Sequence, residues 1–187
     1  MPIDWATCQT QNLKSEIFMT YFELFNIPIS LQVDAAVVKA KFYELSRKYH
    51  PDFFSQATEA EQEEALEKSS LLNKAFKVFT NKDETLKYVL QLKGLIEDEE
   101  KYQLSPNFLM EMMELNEALM DAKIEGDEEK VANCKLQVAS LENALYETIK
   151  NVIADYKDGV STQEALLQVK DYYFKKKYLS RILASLQ

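Results

Sequence analysis

Tyr49-His50-Pro51-Asp52 decides how this chain is read, because a helical pattern stops there and a tight turn begins. Proline has no amide proton and biases the residue before it toward extended backbone, so a helix running into this stretch ends at Tyr49. His50 is then held outside the helix, and Asp52 sits at the tip of the turn beside the cations.

Upstream, the spacing predicts a helix from about Ala35 to Tyr49, with Asp34 as the N-cap that accepts from first-turn amides. Val38, Phe42, Leu45 and Tyr49 share one narrow arc, which is the core side. Lys39, Lys41, Arg47 and Lys48 lie on the other side with Glu44 as the only acid, so the exposed face is positive. Downstream, a helix from about Glu59 to Thr80 sets Ala65, Ser69, Leu72, Ala75, Phe76 and Phe79 on one face. Two antiparallel helices thus flank an exposed turn.

A bare His-Pro-Asp tripeptide recurs by chance. Here it comes in order with Tyr21-Phe22-Glu23-Leu24-Phe25, Phe42, Leu45, Lys48-Tyr49 and Leu72-Asn73-Lys74-Ala75-Phe76. That combination resembles the J-domain, the co-chaperone module that acts on the ATPase domain of DnaK-class heat-shock chaperones. The resemblance implies that His50, Pro51 and Asp52, with the cations Lys41, Arg47 and Lys48, face that chaperone.

The 187 residues fit one sizeable domain or two small ones, and 47% apolar with 28% charged content is that of an ordinary globular chain. With only 3 Gly and 4 Pro, long helices with few turns are expected, and the fold class read here is all-α. The net charge of −9 is uneven: residues 20–93 hold 10 Lys/Arg against 11 Asp/Glu, and residues 94–187 hold 11 against 18. A second half this acidic repels polyanions, so nucleic acid is not an expected partner. Its one basic run, Lys175-Lys176-Lys177, reads as the solvated end of a helix.

No apolar run reaches the length needed to span a bilayer, and no secretory signal pattern is present. A cytoplasmic protein without membrane partners is expected. Cys8 and Cys134 belong to no CxxC or Cys/His cluster, so no structural metal and no cofactor is expected. Cys134 sits in the series Val131, Cys134, Val138, Leu141, Leu145, Val152 and reads as a small buried hydrophobe. With a single histidine, no nucleophile-base pair and no glycine-rich phosphate loop, the chain does not read as an enzyme.

The expected order is a leader over 1–19, containing Trp5 and Cys8, with Phe18 and Met19 joining the first helix. A J-domain over 20–94 follows, closed by a short helix from Thr85 to a C-cap at Gly94. Residues 95–105, with Glu97-Asp98-Glu99-Glu100, read as a charged linker. Residues 106–187 read as a three-helix bundle, with helices at about 106–125, 128–157 and 162–186. Ser105-Pro106 starts the first, and Ser161 with Glu164 has the spacing of a capping box for the last.

The first bundle helix holds more apolar residues than one core stripe uses. Phe108, Met112, Leu115, Leu119 and Ala122 form the core arc, while Leu109, Met113, Met120 and Ile124 form a second stripe. Beside it lie Met110, Glu114, Glu117 and Asp121, an acidic border. In the last helix Ala165, Val169, Tyr172, Leu179, Leu183 and Leu186 make the core stripe, and Phe174, Tyr178 and Ile182 are expected to point elsewhere. Such stripes are core more often than sites. Methionines beside an acidic rim also suit an adaptable protein-binding surface.

Phe108-Leu109-Met110-Glu111-Met112-Met113-Glu114-Leu115 after Ser105-Pro106, joined to a J-domain carrying Ala60-Glu61-Gln62, resembles the HscB family, the J-proteins of iron-sulfur cluster biogenesis. The resemblance covers about residues 20–187. It implies two partners: an HscA-type DnaK-class ATPase at the J-domain and the IscU-type cluster scaffold at the bundle. By resemblance, scaffold contacts map to Leu109, Met110, Met113, Glu114, Glu117, Asp121 and Tyr178. Asn116 and Ala118 stand where the family usually has Arg and Glu, and residues 81–85 lack its usual proline and Arg-Ala. The paired N-terminal cysteines that hold a metal in some relatives are missing, so that site is not carried over. A general J-protein for unfolded clients, or a helical adaptor that ignores the turn, are the alternatives from other classes.

The positive face of the helix before Tyr49 makes one prediction. Charge reversal at Arg47 or Lys48 is expected to slow association with the chaperone roughly tenfold at low salt. Raised salt should mimic it in a stopped-flow binding experiment, and a salt-independent association rate would contradict this role.

Overall fold

A computed structural model describes residues 19–184; residues 1–18, with Trp5, Cys8 and Phe18, and residues 185–187, with Leu186, lie outside the described residues. The described residues form seven α-helices and no strand: α1 (Tyr21–Phe25), α2 (Ala35–Lys48), α3 (Glu59–Phe79), α4 (Lys82–Leu92), α5 (Pro106–Glu125), α6 (Glu128–Ala154) and α7 (Gln163–Ala184). One turn of 3-10 helix, Pro51–Phe54, lies between α2 and α3. The all-α expectation is met.

Local chemistry accounts for most boundaries. Asp34 caps α2 by accepting from the Ala36 amide at 2.7 Å, and Thr20 and Thr58 form reciprocal capping boxes with Glu23 and Glu61. Bonds from Thr20 and Thr58 hold the Glu23 and Glu61 carboxyls below the usual carboxylate range. The expected short helix at 85–94 begins three residues earlier, because the Asn81 side chain accepts from the Asp83 and Glu84 amides. At α7 the expected capping box at Ser161 and Glu164 is not formed. Ser161 Oγ instead accepts from the Lys157 amide at 2.9 Å, and Thr162 Oγ1 accepts from the Ala165 amide. Gly126 takes a left-handed φ of 69° where α5 turns into α6.

The α2–α3 hairpin is packed by α1 and α4. Phe22, Phe25, Val38, Leu72, Ala75, Phe79, Leu86, Val89 and Leu90 are all buried there. Phe79 meets Phe22 at 4.8 Å and Phe25 edge-on at 5.3 Å, while Phe42 of α2 stacks on Phe76 of α3 at 4.1 Å. Tyr21 stacks on Tyr88 at 4.4 Å, and its backbone N–H donates to the Tyr88 hydroxyl. Thr85, buried in α4, satisfies its hydroxyl on the carbonyls of Val78 and Asn81.

A second core lies between α5, α6 and α7, with Phe108, Met112, Leu115, Leu119, Cys134, Val138, Leu179 and Ile182 buried. Cys134 is a core hydrophobe, as expected. Ile182, expected to point away from the core, is instead inside it, because α7 buries an arc wide enough to meet both α5 and α6.

α6 and α7 are longer than the core they share with α5. The 27 residues of α6 span about 40 Å against about 30 Å for the 20 of α5, so the last two turns of α6 and the N-terminal part of α7 extend beyond α5. There Ile149, Ile153, Tyr156, Leu166, Val169, Tyr172 and Tyr173 join the first core, against α4. The charged stretch 95–105 is helix-free, but its apolar side chains are docked. Ile96 is buried, and Tyr102 stacks on Phe174 at 4.5 Å and donates to Asp171 at 3.0 Å. Polar ties flank this junction: Lys170 with Glu100 and the Leu95 carbonyl, Lys93 with Asp158, and Lys176 with Asp83 and Glu142.

The junction is rich in groups that stay protonated in the native state. Burial, then the bond to Asp171, pushes Tyr102 up to about 12. Burial likewise raises Tyr156, Tyr172 and Tyr173, and for Lys176 the acids Asp83 and Glu142 outweigh the burial that opposes its charge. A raised native pKa contributes stability that is full below the unfolded value and is lost as pH rises toward the native one. Thermal stability is therefore expected to be flat from pH 7 to about 9.5 and to fall above about 10. The fall should be shallower in Tyr102→Phe; a wild-type melting temperature unchanged at pH 11 would contradict the packing described.

Candidate functional site

Two exposed surfaces stand out, one at each end of the molecule's chemistry. The first is the turn after α2. His50 has φ −68° and ψ 126°, extended as a residue before proline should be, and it caps the 3-10 helix. Its Nδ1 accepts from the Asp52 backbone N–H at 3.3 Å, so the neutral ring carries its proton on Nε2 as a free donor. The Asp52 carboxylate is 3.6 Å from the same Nδ1 and largely exposed. The Phe53 N–H donates to the His50 carbonyl at 3.0 Å, which closes the turn.

The predicted cations do not act as one patch. Arg47 lines a cleft of about 400 Å³ together with Tyr43, Ser46, His50, Asp52 and Phe53. It makes no salt bridge among the described residues. Lys41 and Lys48 lie on the other flank of α2, one heptad apart. Lys41 is paired with Glu44 at 3.2 Å, and Lys48 sits over the Tyr49 ring at 5.3 Å. Lys68 of α3 approaches that ring at the same distance, held charged by its bond to Glu64. Tyr49 therefore ties α2 to α3 just below the turn.

The second surface is the outer face of α5 with the end of α7. Of the second stripe Met113, Met120 and Ile124 are exposed, at 59%, 56% and 82%, and so is Met110 on its border at 62%, whereas Leu109 is half-buried beside α7. Glu114, Glu117 and Asp121 are exposed along its border. Leu109 and Tyr178 are half-buried and share a groove of about 900 Å³ with Tyr102, Leu104, Phe174, Lys177 and Arg181. The Tyr178 ring meets Phe108 edge-on at 6.0 Å, which fixes it at the groove wall. Glu114 faces the other way, into a shallow depression toward α6 beside Leu115 and Leu141. The candidate residues thus spread across the whole outer face of α5, with only Leu109 and Tyr178 in the groove.

Several residues at these surfaces escaped the reading of the sequence. Tyr43 on α2 and Phe53 in the turn fall outside any apolar periodicity; the Phe53-Phe54 pair inside a polar turn is the available signal. Tyr102 and Leu104 lie in the charged stretch 95–105, where no apolar periodicity signals a groove wall. Among the described residues no group of three or more His, Cys, Asp or Glu is placed to hold a metal ion. No described helix is long and apolar enough to cross a membrane.

Comparison with known proteins agrees with this architecture. Residues 104–187 match the family model described as the HSCB C-terminal oligomerisation domain. The chain is 32% identical to the co-chaperone protein HscB homolog of Photobacterium profundum over 155 residues, 82% of this chain and 83% of that one. It is 31% identical to the homolog from Vibrio atlanticus over 171 residues, 88% of this chain and 92% of that one. Among solved structures, chaperone HscB from Vibrio cholerae superposes with a TM-score of 0.67 at 27% identity, covering 87% of this chain and 92% of that chain. Human co-chaperone protein HscB superposes with a TM-score of 0.72 at 28% identity, covering 89% and 79%. With the helical hairpin, its exposed turn and the appended bundle all accounted for, the chain belongs to the HscB family of co-chaperones, which are not enzymes.

Proposed function

We propose that this chain couples two proteins in iron-sulfur cluster biogenesis. His50, Pro51 and Asp52, with Arg47 beside them and Lys41 and Lys48 on the other flank of α2, dock on an HscA-type DnaK-class ATPase in its ATP-bound state. Leu109, Met110, Met113, Glu114, Glu117, Asp121 and Tyr178 hold an IscU-type scaffold, whose cluster is cargo and never a resident cofactor. The setting is the cytoplasm. The observation that carries the reading is the His50 geometry: a backbone amide occupies Nδ1 of a half-exposed ring in a preformed turn, which leaves Nε2 for a partner.

Neither surface performs chemistry. The ATPase hydrolyses the nucleotide, and this chain times that step to scaffold capture. Both contacts are made by one molecule, so once the first forms the second becomes intramolecular and gains in effective concentration. Because α4 shares a core with α6 and α7, the separation of the two surfaces is set by packing and not by a flexible tether.

His50→Gln is expected to reduce single-turnover ATP hydrolysis by the ATPase to its unstimulated rate, with helicity and scaffold affinity unchanged. Normal stimulation by that variant would sink the assignment of the turn. For the other surface, replacing Leu109, Met113 and Tyr178 together by Ala should weaken scaffold binding by several kcal/mol, roughly what truncating central apolar anchors costs. Thermal stability should fall far less than in Leu115→Ala, where a buried side chain leaves a cavity costing about 2–5 kcal/mol. A folded triple variant that binds the scaffold at wild-type strength would overturn this half of the reading and leave the other intact.

A further inference from the structure

The turn carries two large aromatic side chains that neither core uses. Tyr43 of α2 is 60% exposed and Phe53 of the 3-10 turn is 71% exposed, and both line the cleft that holds Arg47, His50 and Asp52. Their positions are set within the chain. The Phe53 backbone is bonded to the His50 carbonyl and its ring meets the His50 ring at 5.9 Å. The Tyr43 ring packs edge-on against Phe42 at 5.9 Å, and Phe42 is itself stacked on Phe76 of α3.

A single exposed ring needs no explanation. Two rings in one cleft, beside a guanidinium with no salt bridge among the described residues and an imidazole N–H donor, have the make-up of an interface centre: apolar walls with a polar, charged edge. Holding them in place beforehand removes part of the ordering cost of association. The complementary group is an apolar side chain next to a carboxylate.

We propose that Tyr43 and Phe53 form an aromatic seat beside His50 that takes an apolar side chain of the ATPase partner, while Arg47 takes a neighbouring carboxylate. This rests on the reading that the turn docks on the DnaK-class ATPase, and it divides that contact into two physically different parts. Salt screens the Arg47 contact but does not weaken the burial of the rings. Arg47 steers the encounter, and the aromatic seat sets how long the complex lasts.

The test uses the full chain and a purified HscA-type ATPase loaded with ATP, in binding titrations and single-turnover hydrolysis at roughly 0.05 M and 0.5 M salt. The double variant Tyr43→Ala/Phe53→Ala should bind at least about tenfold more weakly at both salt concentrations. Its melting temperature and scaffold affinity should match wild type. Phe53→Leu, which keeps an apolar side chain, should recover most of the Phe53 share. Arg47→Ala should lose affinity mainly at low salt. A double variant within about twofold of wild type at high salt overturns the aromatic seat. His50→Gln run alongside separates the two failures. If it is silent while the double variant is normal, only the seat is wrong; if it stimulates normally, the turn does not face the ATPase and both fall.

Discussion

The apolar junction between α4 and the overhanging ends of α6 and α7 is the constraint on which the rest of the structure depends. Leu86, Val89 and Leu90 meet Ile149, Ile153, Val169, Tyr172 and Tyr173 in one buried cluster. A two-helix hairpin extending past α5 leaves these five large side chains in water unless a third element covers them. At roughly 2 kcal/mol for each, their burial is worth on the order of 10 kcal/mol, as much as the net stability of a whole domain. The ion pairs at the rim are part-buried, so their attraction is largely offset by the desolvation of the charges and each adds little net stability. Lys93, Lys170 and Lys176 therefore select the docked orientation, and the apolar core holds it.

The His50–Asp52 turn is built on the opposite principle. Pro51, His50, Asp52 and Phe53 are all exposed, so hardly any burial holds them. Their order is local: a proline-restricted backbone, an amide on Nδ1 and the Phe53 bond to the His50 carbonyl. Below them Tyr49 is clasped by Lys48 and Lys68 from two helices, which transmits the rigidity of the hairpin to its tip. A surface arranged this way presents polar groups to a partner without a core having to move.

Much of this was legible beforehand. Helical periodicity located α2, α3 and the bundle helices, and on α5 it separated the buried arc of Phe108, Met112, Leu115 and Leu119 from the exposed Met110, Met113 and Ile124. Harder to read were α7, where Ile182 turned inward, and the stretch 95–105, where a run of acids concealed Ile96 and Tyr102. In both cases the amphipathic pattern shows that an apolar side exists but not how many neighbours will share it.

The sequence by itself determined the long helices, the caps at Asp34 and Ser105, the stop at Pro51 and the separation of the two stripes on α5. These follow from backbone sterics and from hydrogen bonds made within a few residues. Only the tertiary structure decided that Ile149, Ile153, Tyr172 and Tyr173 cover α4, that Leu109 and Tyr178 share a groove, and that Arg47 joins Tyr43 and Phe53 while Lys41 and Lys48 do not. These depend on which helix lies against which, and apolar burial, being non-directional, does not specify that until all the helices compete for the same partners.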